Sequence, residues 1–117
     1  MSEAERETAV TDPAVIDNPV ESRFEIHVDG ERAGLVQYHL PGPKDAPLIS
    51  LIHTEVDDRF QGMGLASKLA RGALDEARAR GLAVLPDCPY INSWIAKHPD
   101  YLDLVPGDRR AEFALSR

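Results

Sequence analysis

Leu48–Arg80 reads LISLIHTEVDDRFQGMGLASKLARGALDEARAR and changes rhythm twice. Leu48–Val56 is apolar and β-branched, which predicts a strand. Its inner part, Leu48, Ile49, Leu51 and Ile52, is almost continuously apolar, so the strand is expected inside a sheet and buried on both faces. Asp57 and Asp58 turn the chain into a loop that Gly62 and Gly64 punctuate. From there Leu65, Ala66, Leu69, Ala70, Ala73, Leu74 and Ala77 recur at helical spacing, with Ser67, Lys68, Arg71, Asp75, Glu76 and Arg78 on the other side. Gly81 stands where a left-handed C-cap is expected. The first turn of a helix carries unpaired N–H groups and the positive end of the macrodipole, and small residues there let an anion approach the backbone. The stretch therefore reads as strand, loop, anion cradle and helix.

Downstream, Leu82–Leu85 is a short buried strand, and the helix before it makes a β-α-β unit, so this strand should run parallel to Leu48–Val56. Pro86-Asp87-Cys88-Pro89 ends it. Ile91–Lys97 predicts a shorter helix with Ile91, Trp94 and Ile95 on one face, stopped by His98-Pro99. Tyr101, Leu102, Leu104 and Val105 should pack back on the sheet, and Ala111–Leu115 reads as a short terminal helix. Upstream, Val15 and Ile16 open a short strand. Phe24, Ile26 and Val28 alternate with Glu25 and His27, Asp29-Gly30 signals a hairpin, and Ala33–Leu40 is the return strand. Pro41-Gly42-Pro43-Lys44-Asp45 predicts a surface loop. Residues 1–12, MSEAERETAVTD, lack apolar periodicity and are expected to be a disordered tail, not a secretory or mitochondrial signal. The expected fold class is α/β (α+β), with a mixed sheet of about five strands, one long helix after the central strand and a shorter C-terminal helix. Residues 13–117 should form one domain.

Composition narrows the function. The 117 residues carry a formal net charge of −7, which argues against a nucleic-acid partner and is compatible with a cationic one. No apolar run reaches the length of a membrane span. A single cysteine, Cys88, excludes an internal disulfide framework and points to a reducing, cytoplasmic location. His27 and His39 have no partner at metal-ligand spacing, so no metal site is expected.

The glycine pattern decides which anion. Ser67 stands where a dinucleotide fingerprint wants its third glycine, and the Gly-Lys-Ser/Thr of a P-loop is absent. What remains is Gln61-x-x-Gly64-x-Ala66, led by Val56, with Arg59-x-x-Gly62-x-Gly64 as an overlapping alignment. This resembles the Gln/Arg-x-x-Gly-x-Gly/Ala signature of the GNAT acetyltransferase superfamily. His53-Thr54-Glu55-Val56, Cys88-Pro89-Tyr90 and His98-Pro99-x-Tyr101 extend the resemblance to the minimal, single-domain branch of that superfamily, over roughly residues 23–105.

The resemblance implies a GNAT-like fold and acetyl-CoA as cofactor. It implies a diphosphate held on backbone N–H groups of Gln61, Gly62, Met63, Gly64, Leu65, Ala66 and Ser67, and a pantetheine arm between strands that splay apart. The thioester is then expected beside Glu55 and Val56. Lys68 and Arg71 could meet outer phosphates or simply form a solvated helix face. The implied activity is N-acetyl transfer to an unidentified small-molecule or protein amine, by direct attack on the thioester. A CoA-binding module without turnover is the alternative, and both monomer and homodimer stay open.

Such a transfer needs a base, because an amine with a pKa of about 10.4 must lose a proton before it attacks. His53 suits that role, the alternative being a core histidine bonded to a backbone carbonyl. The leaving sulfur needs a proton or a shield. Cys88 could donate one, carry the acetyl group itself as a nucleophile if its thiolate were favoured by a neighbour such as His53, or be a small buried hydrophobe. Tyr90 and Tyr101 offer phenols, with Tyr90 the substitute acid, although each also reads as a packed tyrosine; Glu55 could act as a base through water or merely bind solvent or substrate. Trp94 replaces the tyrosine expected at that place in the branch, so a hydroxyl contact should be lost there.

Overall fold

Residues 13–41 and 47–115 are described by a computed structural model. The expected tail, residues 1–12, and residues 42–46 of the expected surface loop lie outside them. Five strands form one sheet in chain order: β1 (Ala14–Asn18), β2 (Arg23–Val28), β3 (Glu31–His39), β4 (Leu48–Val56) and β5 (Ala83–Leu85). The first three junctions are antiparallel and β4–β5 is parallel, so the sheet is mixed as expected. Asp29 and Gly30 both adopt positive φ, 53° and 80°, the type I′ geometry that matches the twist of a two-residue hairpin.

Helix α1 (Leu65–Ala79) crosses the sheet and buries Leu65, Leu69, Ala70, Ala73, Leu74 and Ala77 against it. Its C-terminus closes as a Schellman motif, with Leu82 N–H donating to Ala77 C=O (2.9 Å), Gly81 N–H donating to Arg78 C=O (3.1 Å) and Gly81 left-handed. Gly72 lets the helix lie close on β1, since a Cβ there would come within 2.7 Å of Val15. Arg80 bonds Asp17 of β1 (2.6 Å), and Tyr38 of β3 donates to the same carboxylate (2.8 Å). The helix is thus pinned at its far end and along its middle, which aims its N-terminus at the end of β4.

Helix α2 spans Pro89–Lys97, two residues earlier than its periodicity suggested, because Pro89 supplies the first helical position behind Cys88. Two 3₁₀ segments follow, Pro99–Leu104 and Gly107–Phe113. The second corrects the terminal helix expected over Ala111–Leu115: Ala114 turns left-handed (φ 58°) and ends it. Tyr101, Leu104 and Val105 are buried, as expected, and Leu102 is half-buried.

β4 lies between β3 and β5, but its burial on both faces needs correction. Ile52 is 42% exposed. The β3–β4 register runs Gln37↔His53 and then Tyr38↔Leu51, so Ile52 is the extra residue of a β-bulge. The bulge shifts the phase of the strand. Leu51, Thr54 and Val56 all face the core, whereas uninterrupted alternation would put Leu51 opposite to the other two.

The sheet face away from α1 carries Arg23, Glu25, His27, His53 and Glu55 among the apolar Ile16 and Leu35. Glu25 is its centre: its carboxylate is only 8% exposed and accepts bonds from Arg23 (2.7 Å) and Asn18 (3.0 Å), with His27 Nε2 at 2.9 Å. These contacts, the His27 bond foremost, hold its pKa down at about 2 against the burial that would raise it.

Candidate functional site

β5 pairs with β4 over three positions only, Leu48↔Ala83, Ile49↔Val84 and Ser50↔Leu85. Beyond them Leu51 C=O accepts from Cys88 N–H (2.7 Å), and the chain departs into α2. Asp57 N–H donates to Ala33 C=O (2.8 Å), so by alternation His53 and Glu55 direct their backbone groups at β3. Those of Thr54 and Val56 therefore point to the side that β5 has left. The bulge at Ile52 bends the strand where this separation begins. This unpaired edge of β4, past the last β5 pair, is the place where the slot between splayed strands is expected.

The turn before α1 opens beside that slot. Gly64 is the N-cap, left-handed at φ 72°, and no side chain caps the first turn. Gly62 is also left-handed (φ 83°), and a Cβ added at either glycine would meet no protein atom within 4 Å. Gln61 donates its side-chain amide to Val56 C=O (2.9 Å), tying the turn to the end of β4 without filling it. Arg59 instead pairs with Glu31 on β3, and α1 begins directly after Gly64, in register with the Gln61 alignment. Met63 is exposed, Leu65 is buried in the core, and Ala66 and Ser67 are half-buried. Uncapped N–H groups beside two glycines whose β-carbon positions are empty could hold a diphosphate.

The charged residues of the helix face divide. Among the described residues Lys68 makes no ion pair and is exposed near the turn. Arg71 is committed elsewhere: it bonds the Tyr101 hydroxyl (3.2 Å) and lies over the rings of Trp94 and Tyr101 at 5.3 and 5.7 Å. That bonding speaks against Arg71 as a phosphate ligand. Tyr101 is the packed tyrosine expected, donating to Asp75 (2.8 Å).

The candidate proton carriers fall on two sides of β4. His53 Nε2 lies 3.0 Å from Glu55 Oε2, with the two side chains 55% and 60% exposed. Thr54, between them in sequence, faces the other way and its hydroxyl meets Cys88 Sγ at 3.2 Å. His53 is therefore no core histidine, and it cannot favour a Cys88 thiolate from across the strand. Cys88 is buried and is the N-cap residue of α2. Tyr90, two residues on, is partly exposed, and desolvation pushes its phenol up.

Two contacts escaped sequence reasoning. Thr54 touches the thiol, a pairing 34 residues apart that no local pattern reveals. Trp94 Nε1–H donates to Ser67 Oγ (2.9 Å), so a polar contact exists where the loss of one was expected.

Residues 23–104 match the sequence profile described as GCN5-related N-acetyl-transferase. Protein NATD1 of Xenopus tropicalis is 34% identical over 79 residues, covering 66% of this chain and 69% of that protein. Protein NATD1 of Mus musculus is 33% identical over 79 residues, with 66% and 68% covered. Among solved structures, glucosamine-6-phosphate N-acetyltransferase from Arabidopsis thaliana aligns with a TM-score of 0.38 at 19% identity, covering 98% of this chain and 67% of that one, a likeness too slight to add to the profile match.

Proposed function

The chain belongs to the GCN5-related N-acetyl-transferase family, and from that premise we propose that it binds acetyl-CoA and transfers the acetyl group directly to an amine. One observation carries the reading: an uncapped helix N-terminus with two left-handed glycines stands beside a strand edge that its neighbour has left. Gln61, Gly62, Met63, Gly64, Leu65, Ala66 and Ser67 would hold the diphosphate, with Lys68 at its margin, and Val56 the arm that follows. Bound acetyl-CoA supplies an activated acyl carbon and a thiolate leaving group.

The two faces of β4 support a division of labour. His53, held through Nε2 by Glu55, keeps Nδ1 free to take the proton of the attacking amine. The Thr54–Cys88 pair, facing the other way, can return a proton to the sulfur as the carbon–sulfur bond breaks. Tyr90, whose phenol desolvation pushes up, is the other donor candidate. With base and thiol on opposite sides, attack by the amine needs no acetyl-cysteine stage. Glu55, Asp57 and Asp58 line a pocket between β3 and the end of β4 together with Arg32, and in a chain of net charge −7 these three carboxylates would suit a cationic acceptor.

The test is free-thiol release from acetyl-CoA with a panel of amines. Turnover that falls about 10²–10⁴-fold in His53→Ala, with no acetyl adduct on Cys88 by intact mass, is the expected result. The exposure of the His53–Glu55 pair favours one competing reading, a CoA-binding module without turnover. That reading is upheld if CoA binds and no amine releases thiol. Absence of CoA binding would overturn both.

A further inference from the structure

We infer that Trp94 is a positioning residue for the diphosphate: its indole N–H takes a lone pair of Ser67 and so presents the Ser67 hydroxyl proton to the ligand. The inference rests on the acetyl-CoA reading above and adds a residue outside the signature turn.

A hydroxyl has one donor and two acceptor sites, and its proton rotates to suit its neighbours. Ser67 is the third residue of α1, so the carbonyls three and four positions back, to which a helical serine can turn that proton, are those of Gly64 and Met63 in the turn itself. Here an N–H donor occupies the oxygen from the side of α2, at 2.9 Å. Among the described residues, Ser67 donates its own proton to no side chain. The two observations together leave a donor in the first turn of a helix whose backbone N–H groups are also uncapped.

The donor that does this is held rigidly. Trp94 is 4% exposed. Its ring is stacked on His98 at 3.7 Å between centroids and 11° between planes, and it meets the edge of Tyr101 at 5.1 Å. His98 is itself fixed by a 2.7 Å contact from Nδ1 to Trp94 C=O. Arg71 lies over the indole, so the ring cannot swing away without breaking a cation–π contact as well. A fixed N–H on one lone pair also polarises the hydroxyl, which strengthens the bond it gives to an anion. Helix α2 carries Cys88 at its N-cap, so a single helix would serve both the diphosphate and the sulfur end of the cofactor.

Trp94 is the only tryptophan of the chain, so its indole proton gives one assignable NMR resonance. Titration of the full chain with CoA should move that resonance, in step with the amide signals of residues 61–67. Trp94→Phe should raise the CoA Kd about three- to tenfold, the worth of one hydrogen bond, and Ser67→Ala should raise it about tenfold or more. Ser67→Thr, which keeps the hydroxyl, should recover most of the affinity that Ser67→Ala loses. The deciding measurement is Trp94→Phe made on Ser67→Ala, where no further loss is expected because the partner is already gone. An equal loss in both backgrounds would make Trp94 merely structural and overturn the inference. If Trp94→Phe does not fold, an indole resonance that stays fixed while residues 61–67 respond to CoA overturns it just as firmly. If CoA moves no signal at all, the inference falls together with the acetyl-CoA reading.

Discussion

Gly64→Ala, set against Gly81→Ala, separates what a left-handed glycine does for the fold from what it does for a ligand. Both glycines have φ 72°, and an added Cβ meets no protein atom within 4 Å at either place. The backbone penalty is therefore shared: alanine in the left-handed region costs about 1–2 kcal/mol, partly offset by a less flexible unfolded chain. Each variant should lose about 1 kcal/mol, or about 3–5 °C in Tm for a chain of this size. The ligand separates them. Gly64 caps the N-terminus of α1, where a β-carbon would take up open space at the proposed diphosphate site, whereas Gly81 lies past the other end. Losing one charge-assisted bond costs about 1.5–3 kcal/mol, so the CoA Kd should rise about 10–100-fold in Gly64→Ala and stay unchanged in Gly81→Ala. At CoA one hundred times the parent Kd, stabilisation is about 2.7 kcal/mol, which falls to about 1 kcal/mol if the Kd rises about thirtyfold. The assay is thermal melting with and without CoA. Equal CoA-induced shifts in the two variants would refute the cradle, whatever their stabilities.

Glu25→Gln tests the sheet face away from α1. A carboxylate held at about 2 instead of 4.5 contributes stability that is present above pH 4.5 and lost as pH falls from there through about 2. The shift corresponds to about 3 kcal/mol, and water above the uncovered face should screen it to about 1–2 kcal/mol. Urea melts should show that difference from the parent at pH 7 and almost none at pH 2; a gap independent of pH would contradict the assignment. Glu55→Gln should leave the unfolding free energy within about 0.5 kcal/mol of the parent, since the His53 pair is exposed, while lowering kcat by about tenfold or more. Equal losses of stability and turnover would remove Glu55 from the proton path. Tyr101→Phe removes the hydroxyl that joins Asp75 and Arg71 and should cost about 1 kcal/mol by chemical denaturation, without changing CoA affinity.

Much of this was readable along the chain because it is local. The strand, the glycine turn and the long helix follow from period and punctuation, and the Schellman close follows from Gly81. The facing of His53 with Glu55 follows from their spacing of two. The bulge left a trace as well. Ile49 and Leu51 keep one phase while Thr54 and Val56 keep the other, a slip that the continuous apolar run around Ile52 conceals. Contacts made by α2 were not readable. Trp94 reaches Ser67 only because the aromatic cluster with His98 and Tyr101 sets the roll of that helix, and nothing in either segment encodes the other's position. The same holds for Thr54 and Cys88.

The supernumerary residue of β4 has an implication for engineering. Excising Ile52 would leave every side chain of both halves on its present side, because Leu51 and Thr54 already sort as if Ile52 were missing. Only the kink would vanish. Such a chain, one residue shorter, would keep its acids, bases and glycines but straighten the strand beside β5, giving a protein with the chemistry intact and the doorway shut.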